Sequence, residues 1–324
     1  MPSILLKLRE RARACPRRIV FAETDDPRVM EAVAFLQQEK LVIPILADDP
    51  IGSTPSDCTV IRRDDRAILE QCTAAYFQSR RHRGMTFLEA ETEIRADRLL
   101  FAALLVRLGF ADGAVNGSIA TTQSVLRAGI RGIGVDPQQK LVSSFFLMEL
   151  TDDRLLTYAD CGVVPNPNAE ELAQIAITTA LSHRRLLGEV PKVAMLSFST
   201  KGSAEHADVQ KVRDATQLAQ SARPDLIIDG ELQFDAAMIP SVAARKAPDS
   251  PLKGSANVLI FPDLDAGNLA YKITERLAGA TALGPLIQGL RRPFMDLSRG
   301  CKTSDIVDVA VIASCSVEET TSLG

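Results

Sequence analysis

The chain has only three histidines, His82, His183 and His206, spread far apart with none in a ligand pair. Zinc is therefore not expected. Its six cysteines (Cys15, Cys58, Cys72, Cys161, Cys301, Cys315) include no C-x-x-C pair, so they read as reduced thiols of a cytoplasmic protein rather than a disulfide framework. Long apolar runs are missing: nothing approaches the ~18–20 residues that cross a bilayer. Charges interrupt the N-terminal apolar residues from Lys7 onward, unlike a secretory signal. Nor is there an excess of positive charge. A net charge of −4 argues against general nucleic-acid binding, and anionic substrates would need local arginine clusters to attract them. Both G-x-x-x-x-G-K-[ST] and G-x-G-x-x-G are absent, which excludes a P-loop and a dinucleotide fingerprint.

What is present fits an ordinary globular protein, with 46% hydrophobic and 24% charged residues. At 324 residues two domains are expected, because a single core rarely grows past ~250–300 residues. An amphipathic helix opens the chain. Strand-like runs at 19–22, 43–47, 113–115, 193–198, 226–229 and 258–261 alternate with helix-like segments. The helices include one opened by Pro27, a long amphipathic segment over 86–108 and another over 169–187. Thr121 or Thr122 is expected to cap a helix running through residue 130. This alternation predicts α/β architecture with mostly parallel sheets. Segments 141–150 and 155–159, joined by the polar turn 151–154, predict one antiparallel pair. The domain assignment is 1–139 plus 285–324 for the first and 140–284 for the second, with a polar tail, 316–324, expected to fray.

The chemistry concentrates in 292–305, expected to form a loop running into an apolar helix over 306–313. Ser298 offers a hydroxyl able to meet a developing oxyanion, and Arg299 a planar fork of donors suited to phosphate. The plain alternative is a surface loop in which Arg299 pairs with Asp296. Asp305 falls in the first turn of the final helix, where the helix dipole favours a negative charge. As a base toward a thiol it faces a gap of roughly 6 kcal/mol between ordinary carboxylate and thiol pKa values. The strand-to-helix loop 116–122 suggests a phosphate cradle of free amides and hydroxyls, with Arg127 able to reach back to an anion. Arg80, Arg81, His82 and Arg83 form a basic cluster that reads either as a solvated helix end or as a nucleotide-phosphate contact. Asp229, Glu231 and Asp235 match no EF-hand spacing and read more simply as acids at a strand-to-helix junction. A second such junction, 262–268, ends at Asn268.

Taken in order, Val193-Ala194-Met195-Leu196-Ser197-Phe198-Ser199-Thr200-Lys201-Gly202-Ser203-Ala204, Asp229-Gly230-Glu231-Leu232-Gln233, Phe261-Pro262-Asp263-Leu264, Gly267-Asn268-Leu269-Ala270-Tyr271-Lys272 and Asp296-Leu297-Ser298-Arg299-Gly300-Cys301 resemble the phosphate acetyltransferase (phosphotransacetylase) family over nearly the whole chain. The resemblance implies reversible acetyl transfer between acetyl phosphate and coenzyme A, with coenzyme A as substrate and no bound cofactor or metal. It also implies two α/β domains flanking a cleft, in the fold of isocitrate and isopropylmalate dehydrogenases, and a homodimer acting away from nucleic acid and membrane. Asp305 then matches the base, Ser298 the transition-state serine and Arg299 the phosphoryl-holding arginine. Arg80, Thr122, Arg127 and Asn268 fall to substrate binding. Ala120 replaces a usual histidine or similar residue and Met295 a usual asparagine, and both are expected to tune acyl choice or phosphate binding. The long N-terminal extension of some larger family members is lacking, so regulation by such a domain is not expected. The alternatives are another acyl-phosphate acyltransferase, such as a butyryl enzyme, a metal- and nicotinamide-dependent decarboxylating dehydrogenase, and a non-catalytic acetyl-CoA-binding module.

Overall fold

The computed structural model describes residues 4–50 and 58–318. Residues 1–3 of the opening segment and 319–324 of the tail lie outside the described residues. The chain forms two compact units, a terminal unit of Ile4–Val135 with 290–318, and an inserted unit, Asp136–Gly289. In the terminal unit Val135 and Leu290 meet in an isolated antiparallel bridge. In the inserted unit Gly289, at φ +90°, runs so close to its neighbour that a Cβ would lie 1.9 Å from the Leu141 carbonyl oxygen.

Eleven strands are found among the described residues: β1 (Arg18–Phe21), β2 (Ile43–Ala47), β3 (Thr59–Ile61), β4 (Gly113–Asn116), β5 (Ser143–Glu149), β6 (Leu155–Ala159), β7 (Lys192–Leu196), β8 (Ile227–Leu232), β9 (Val258–Ile260), β10 (Thr281–Gln288) and β11 (Phe294–Asp296). The terminal unit holds an all-parallel sheet ordered β11-β4-β1-β2-β3. Ile19, Val20 and Phe21 are fully buried, as expected where helices cover both faces of a parallel sheet. From β1 the chain steps outward to β2, and from β4 to β11 on the other side. The loops leaving β1 and β4 therefore diverge, which makes the switch point where open α/β sheets bind ligands.

The inserted unit has a six-stranded sheet ordered β10-β5-β6-β9-β7-β8. β6, β9, β7 and β8 are parallel, and β5 pairs antiparallel with both β6 and β10. The predicted antiparallel pair forms, its turn closed by the Leu150 amide donating to the Arg154 carbonyl at 2.9 Å. Helix Ala169–Leu187 packs on this sheet, started by an Asn168/Glu171 capping box and ended by Gly188 at φ +70°. His183 on its inner face is sealed from solvent and bonds Thr157 at 2.8 Å. Burial lowers its pKa to about 4, so it is a neutral core residue.

Three local expectations change. The single amphipathic segment over 86–108 is two helices, Phe87–Ala96 and Arg98–Arg107, separated by Asp97, which accepts from the Leu99 amide at 2.9 Å and so caps the second. Leu99 to Val106 are all buried, because that helix is apolar all round and lies inside the core. The stretch 292–305 is not loop throughout: residues 294–296 are β11, bonded to β4. The final helix runs Thr303–Ser316, longer than the apolar run at its centre.

Candidate active site

Three loops leave the C-terminal ends of the adjacent strands β1, β4 and β11. The β4 loop turns at Gly117, φ +98°, where a Cβ would sit 2.3 Å from Asp296 Oδ1 and 2.8 Å from the Leu297 amide. Only glycine lets the β4 and β11 loops approach this closely. Thr121 then caps helix Thr122–Gly132, its hydroxyl accepting from the Ser124 amide at 3.2 Å.

The β4 loop is not an open phosphate cradle. Glu23, 1% exposed, reaches in from the β1 loop and fills it. One carboxylate oxygen accepts from the Ser118 amide at 2.7 Å and the Ser118 hydroxyl at 3.0 Å. The other accepts from the amides of Ile119 at 3.0 Å and Ala120 at 2.7 Å. A buried carboxylate with several charge-assisted hydrogen bonds is a strong tie. Sequence reasoning missed Glu23, because nothing in its neighbourhood shows that its side chain ends in a loop over ninety residues away.

Asp296 closes β11. It is 2% exposed, and its Oδ2 accepts from the Thr122 hydroxyl at 2.6 Å while Oδ1 is buried without a partner. Burial, reinforced by the charge of Glu23, raises its pKa to about 6 against the opposing Thr122 bond. Asp296 is therefore not the partner of Arg299, and Thr122 directs its hydroxyl to Asp296. The side-chain amide of Asn116, opposite Asp296 in the sheet register, is also buried without a partner.

Beyond Asp296 the chain surfaces. Ser298, Arg299 and Asp305 are all exposed. The turn is held by the Cys301 amide donating to the Ser298 carbonyl at 2.9 Å, and the Ser298 hydroxyl accepts from the Gly300 amide at 3.3 Å. The Arg299 guanidinium has no hydrogen bond or ion pair among the described residues, while its backbone carbonyl is bound by Arg28 at 3.0 Å. Asp305 accepts from the Lys302 amide at 2.9 Å and the Ser304 hydroxyl at 3.3 Å, within the first helical turn. Arg127 is exposed, its side chain making only a long 3.5 Å contact, to Ser124, among the described residues.

Arg80 ends helix Arg66–Arg80 and lines an open pocket of about 580 Å³ with Arg83, Met85, Leu88 and Arg131. Arg131 is ion-paired to Glu93 and lies over the Tyr76 ring. The guanidinium of half-buried Arg80 makes no hydrogen bond or ion pair among the described residues. Burial, with Arg83 and Arg131 nearby, lowers its pKa. Asn268 belongs to the inserted unit, where its amide donates to the Cys161 carbonyl at 3.1 Å. The preceding Gly267 packs against Asp160, whose carbonyl oxygen lies 2.1 Å from where a Cβ would be. Met295 is a buried strand residue, whereas Ile119 is exposed and Ala120 half-buried on the β4 loop.

Carboxylates fill loops of the inserted unit as well. Asp160 accepts from the amides of Gly162 at 2.9 Å, Val163 at 3.2 Å and Val164 at 2.9 Å. Glu231 accepts from Ser199 Oγ and the Gly202 amide, each at 2.9 Å, and pairs with Arg213 at 3.1 Å. Asp229 and Asp235 pair with Lys201 at 2.5 Å and Lys246 at 2.9 Å. No metal-binding group of three or more such side chains occurs among the described residues.

Burial alone would raise the pKa of Glu231, but the Arg213 and Gly202 bonds outweigh it and lower the value from 4.5 to about 2. A lowered carboxylate pKa stabilises the fold above the unfolded-state value and loses that contribution as pH falls through the folded value. Glu231→Gln should therefore be less stable than wild type near neutrality, by about 1–3 kcal/mol, the scale of a lost hydrogen bond to a charged group. The gap should close as pH drops from 4.5 toward 2. Urea unfolding across that range checks it, and a gap independent of pH contradicts it.

Ser298, Arg299 and Asp305 thus lie exposed beyond the C-terminal edge of a parallel sheet whose β4 loop is tied down by the buried carboxylate of Glu23, the place where open α/β folds carry their ligand sites. The model of the family described as phosphate acetyl/butaryl transferase matches residues 3–314, and the chain belongs to that family. A phosphate acetyltransferase of Thermoanaerobacterium thermosaccharolyticum is 43% identical over 328 residues, covering 98% of this chain and 99% of the relative. The crystal structure of a phosphotransacetylase from Streptococcus pyogenes superposes with a TM-score of 0.92 at 39% identity, covering 97% of this chain and 98% of that one. A more distant likeness, TM-score 0.50 at 10% identity over 94% of this chain and 99% of the other, is to a structure from Salmonella typhimurium described as a 4-hydroxythreonine-4-phosphate dehydrogenase. It speaks to the fold alone.

Proposed function

We propose that the chain transfers an acetyl group reversibly between acetyl phosphate and coenzyme A. The observation that carries this reading is the unpaired, exposed guanidinium of Arg299 beside Ser298, in a molecule where the neighbouring Arg28 is fully engaged. In the direction of thioester synthesis, Asp305 takes the thiol proton and the sulfur attacks the carbonyl carbon of acetyl phosphate. Ser298 donates to the developing oxyanion. The carbon–oxygen bond to phosphate then breaks, and phosphate leaves against Arg299 and Arg127. Orientation of the two substrates supplies up to ~7–11 kcal/mol of barrier lowering.

Arg80, unpaired beside Arg83 and Arg131 and next to Leu88 and Met85, suits a phosphate on the nucleotide end of coenzyme A. The free state of all six cysteines supports a reducing, cytoplasmic location, and no described helix is long and apolar enough to cross a membrane. A second copy of the chain is the proposed cover for helix Leu264–Ala278, which buries only Gly267 and exposes Leu269 (59%), Ile273 (55%) and Leu277 (84%) at four-residue spacing. Light scattering should give twice 35.1 kDa for wild type and 35.1 kDa for Ile273→Lys; a monomeric wild type removes the homodimer.

Thioester absorbance in the ultraviolet, with coenzyme A and a panel of acyl phosphates, tests the function. Acetyl phosphate is expected to give the highest kcat/KM. Preference for butyryl phosphate replaces the acetyl assignment, and no thioester from any acyl phosphate removes acyl transfer altogether.

A further inference from the structure

Arg28 is the second residue of helix Pro27–Gln38, which follows the β1 loop, and lies outside every motif above. Its guanidinium bonds five acceptors. Nε and one Nη2–H go to the Asp26 carboxylate at 3.1 and 2.7 Å. The other Nη2–H goes to the Ser118 carbonyl at 2.9 Å. The two Nη1–H groups go to the carbonyls of Arg299 at 3.0 Å and Cys301 at 2.7 Å. A guanidinium has five N–H donors, so none remains for a substrate. Asp26 is itself fixed, because its carboxylate accepts from the Arg28 backbone amide at 2.9 Å and caps the helix.

We infer that Arg28 is a positioning residue for acyl transfer, a clamp that binds the backbone on both sides of Gly300 and so sets where Ser298 and Arg299 face the substrate. The inference rests on the acyl-transfer reading. Ser118 links the clamp to Glu23: its amide and hydroxyl go to the carboxylate and its carbonyl goes to the guanidinium. The β1, β4 and β11 loops are thereby held as one unit with the reacting side chains on its outer surface. A lysine cannot replace the clamp, because an ammonium is a compact charge with three donors and no planar fork.

The test pairs activity with a readout that needs no activity. Arg28→Ala should lower kcat by ~100-fold, the scale expected for ångström-level misplacement of a reacting group, with KM for both substrates changed by less than ~3-fold if binding is untouched. Hydrogen exchange of the amides across 298–305 should accelerate in the variant. Guanidinium ion at non-denaturing concentration should slow that exchange again and restore kcat, whereas methylammonium should do neither. Arg28→Lys should resemble Arg28→Ala, and it serves as the test variant if the alanine chain does not fold. Unchanged exchange across 298–305, or a folded variant with kcat near wild type, overturns the inference. If wild type makes no thioester, the acyl-transfer reading fails, and the exchange experiment still decides whether Arg28 clamps the loop.

Discussion

Asp305→Asn should lower kcat for thioester formation by about 10²–10⁴-fold, the range supplied by a positioned general base, with little change in KM for coenzyme A. The substitution separates structure from chemistry. Asp305 accepts from the Lys302 amide at 2.9 Å in the first turn of helix Thr303–Ser316, and an asparagine oxygen can accept the same bond. The helix start therefore persists while the charge that takes a proton is lost. An ordinary carboxylate lies roughly 6 kcal/mol uphill of an ordinary thiol in proton affinity. Proton transfer must then be coupled to attack, or the thiol acidified by a neighbouring cation. Arg299, exposed and without a side-chain partner among the described residues in the turn just before that helix, is the cation proposed to supply such a field. Steady-state kinetics with circular dichroism on the same samples decides the matter: a folded Asp305→Asn enzyme turning over within a few-fold of wild type has some other base.

The second large effect is expected at Glu23. Glu23→Ala removes a solvent-sealed carboxylate that accepts from three amides and one hydroxyl. Orphaned buried donors cost about 1–3 kcal/mol apiece, and local relaxation recovers part of it, so a net loss of about 3–5 kcal/mol is expected, as for breaking a buried charged interaction. Glu23→Gln should be intermediate, because whichever way the amide is turned its NH₂ faces donors of the β4 loop. Urea denaturation measures both. The vacated amides should also acquire affinity for anions, so inorganic phosphate should raise the Tm of Glu23→Ala more than that of wild type. A loss below ~1 kcal/mol would mean the loop holds its shape without the carboxylate.

The sheets were legible because buried parallel strands are short apolar runs: 19–22, 43–47 and 258–261 lie within a residue of β1, β2 and β9. β3, β10 and β11 were not: β3 and β11 are three residues each, too short to carry periodicity, and β10 is interrupted by Gly284-Pro285. The break at Asp97 was hidden because apolar residues continue through it, and only the capping geometry reveals two helices. At the site, the motif gave the positions of Ser298, Arg299 and Asp305, but no local pattern gave their surroundings. Glu23, Arg28 and Asp296 look like ordinary surface charges in sequence. Their partners come from segments brought together only by the order β11-β4-β1.

One trait recurs in both units. Loops of a kind that elsewhere clasp a phosphate are here closed on the protein's own acids, Glu23, Asp160 and Glu231. Their shape is settled when the chain folds and does not wait for a visitor. Incoming acyl phosphate therefore meets walls already set, and little of its binding energy is consumed in stilling flexible backbone. On the proposed reading, what it gains from Arg299 remains available for distinguishing the transition state from the resting acyl phosphate.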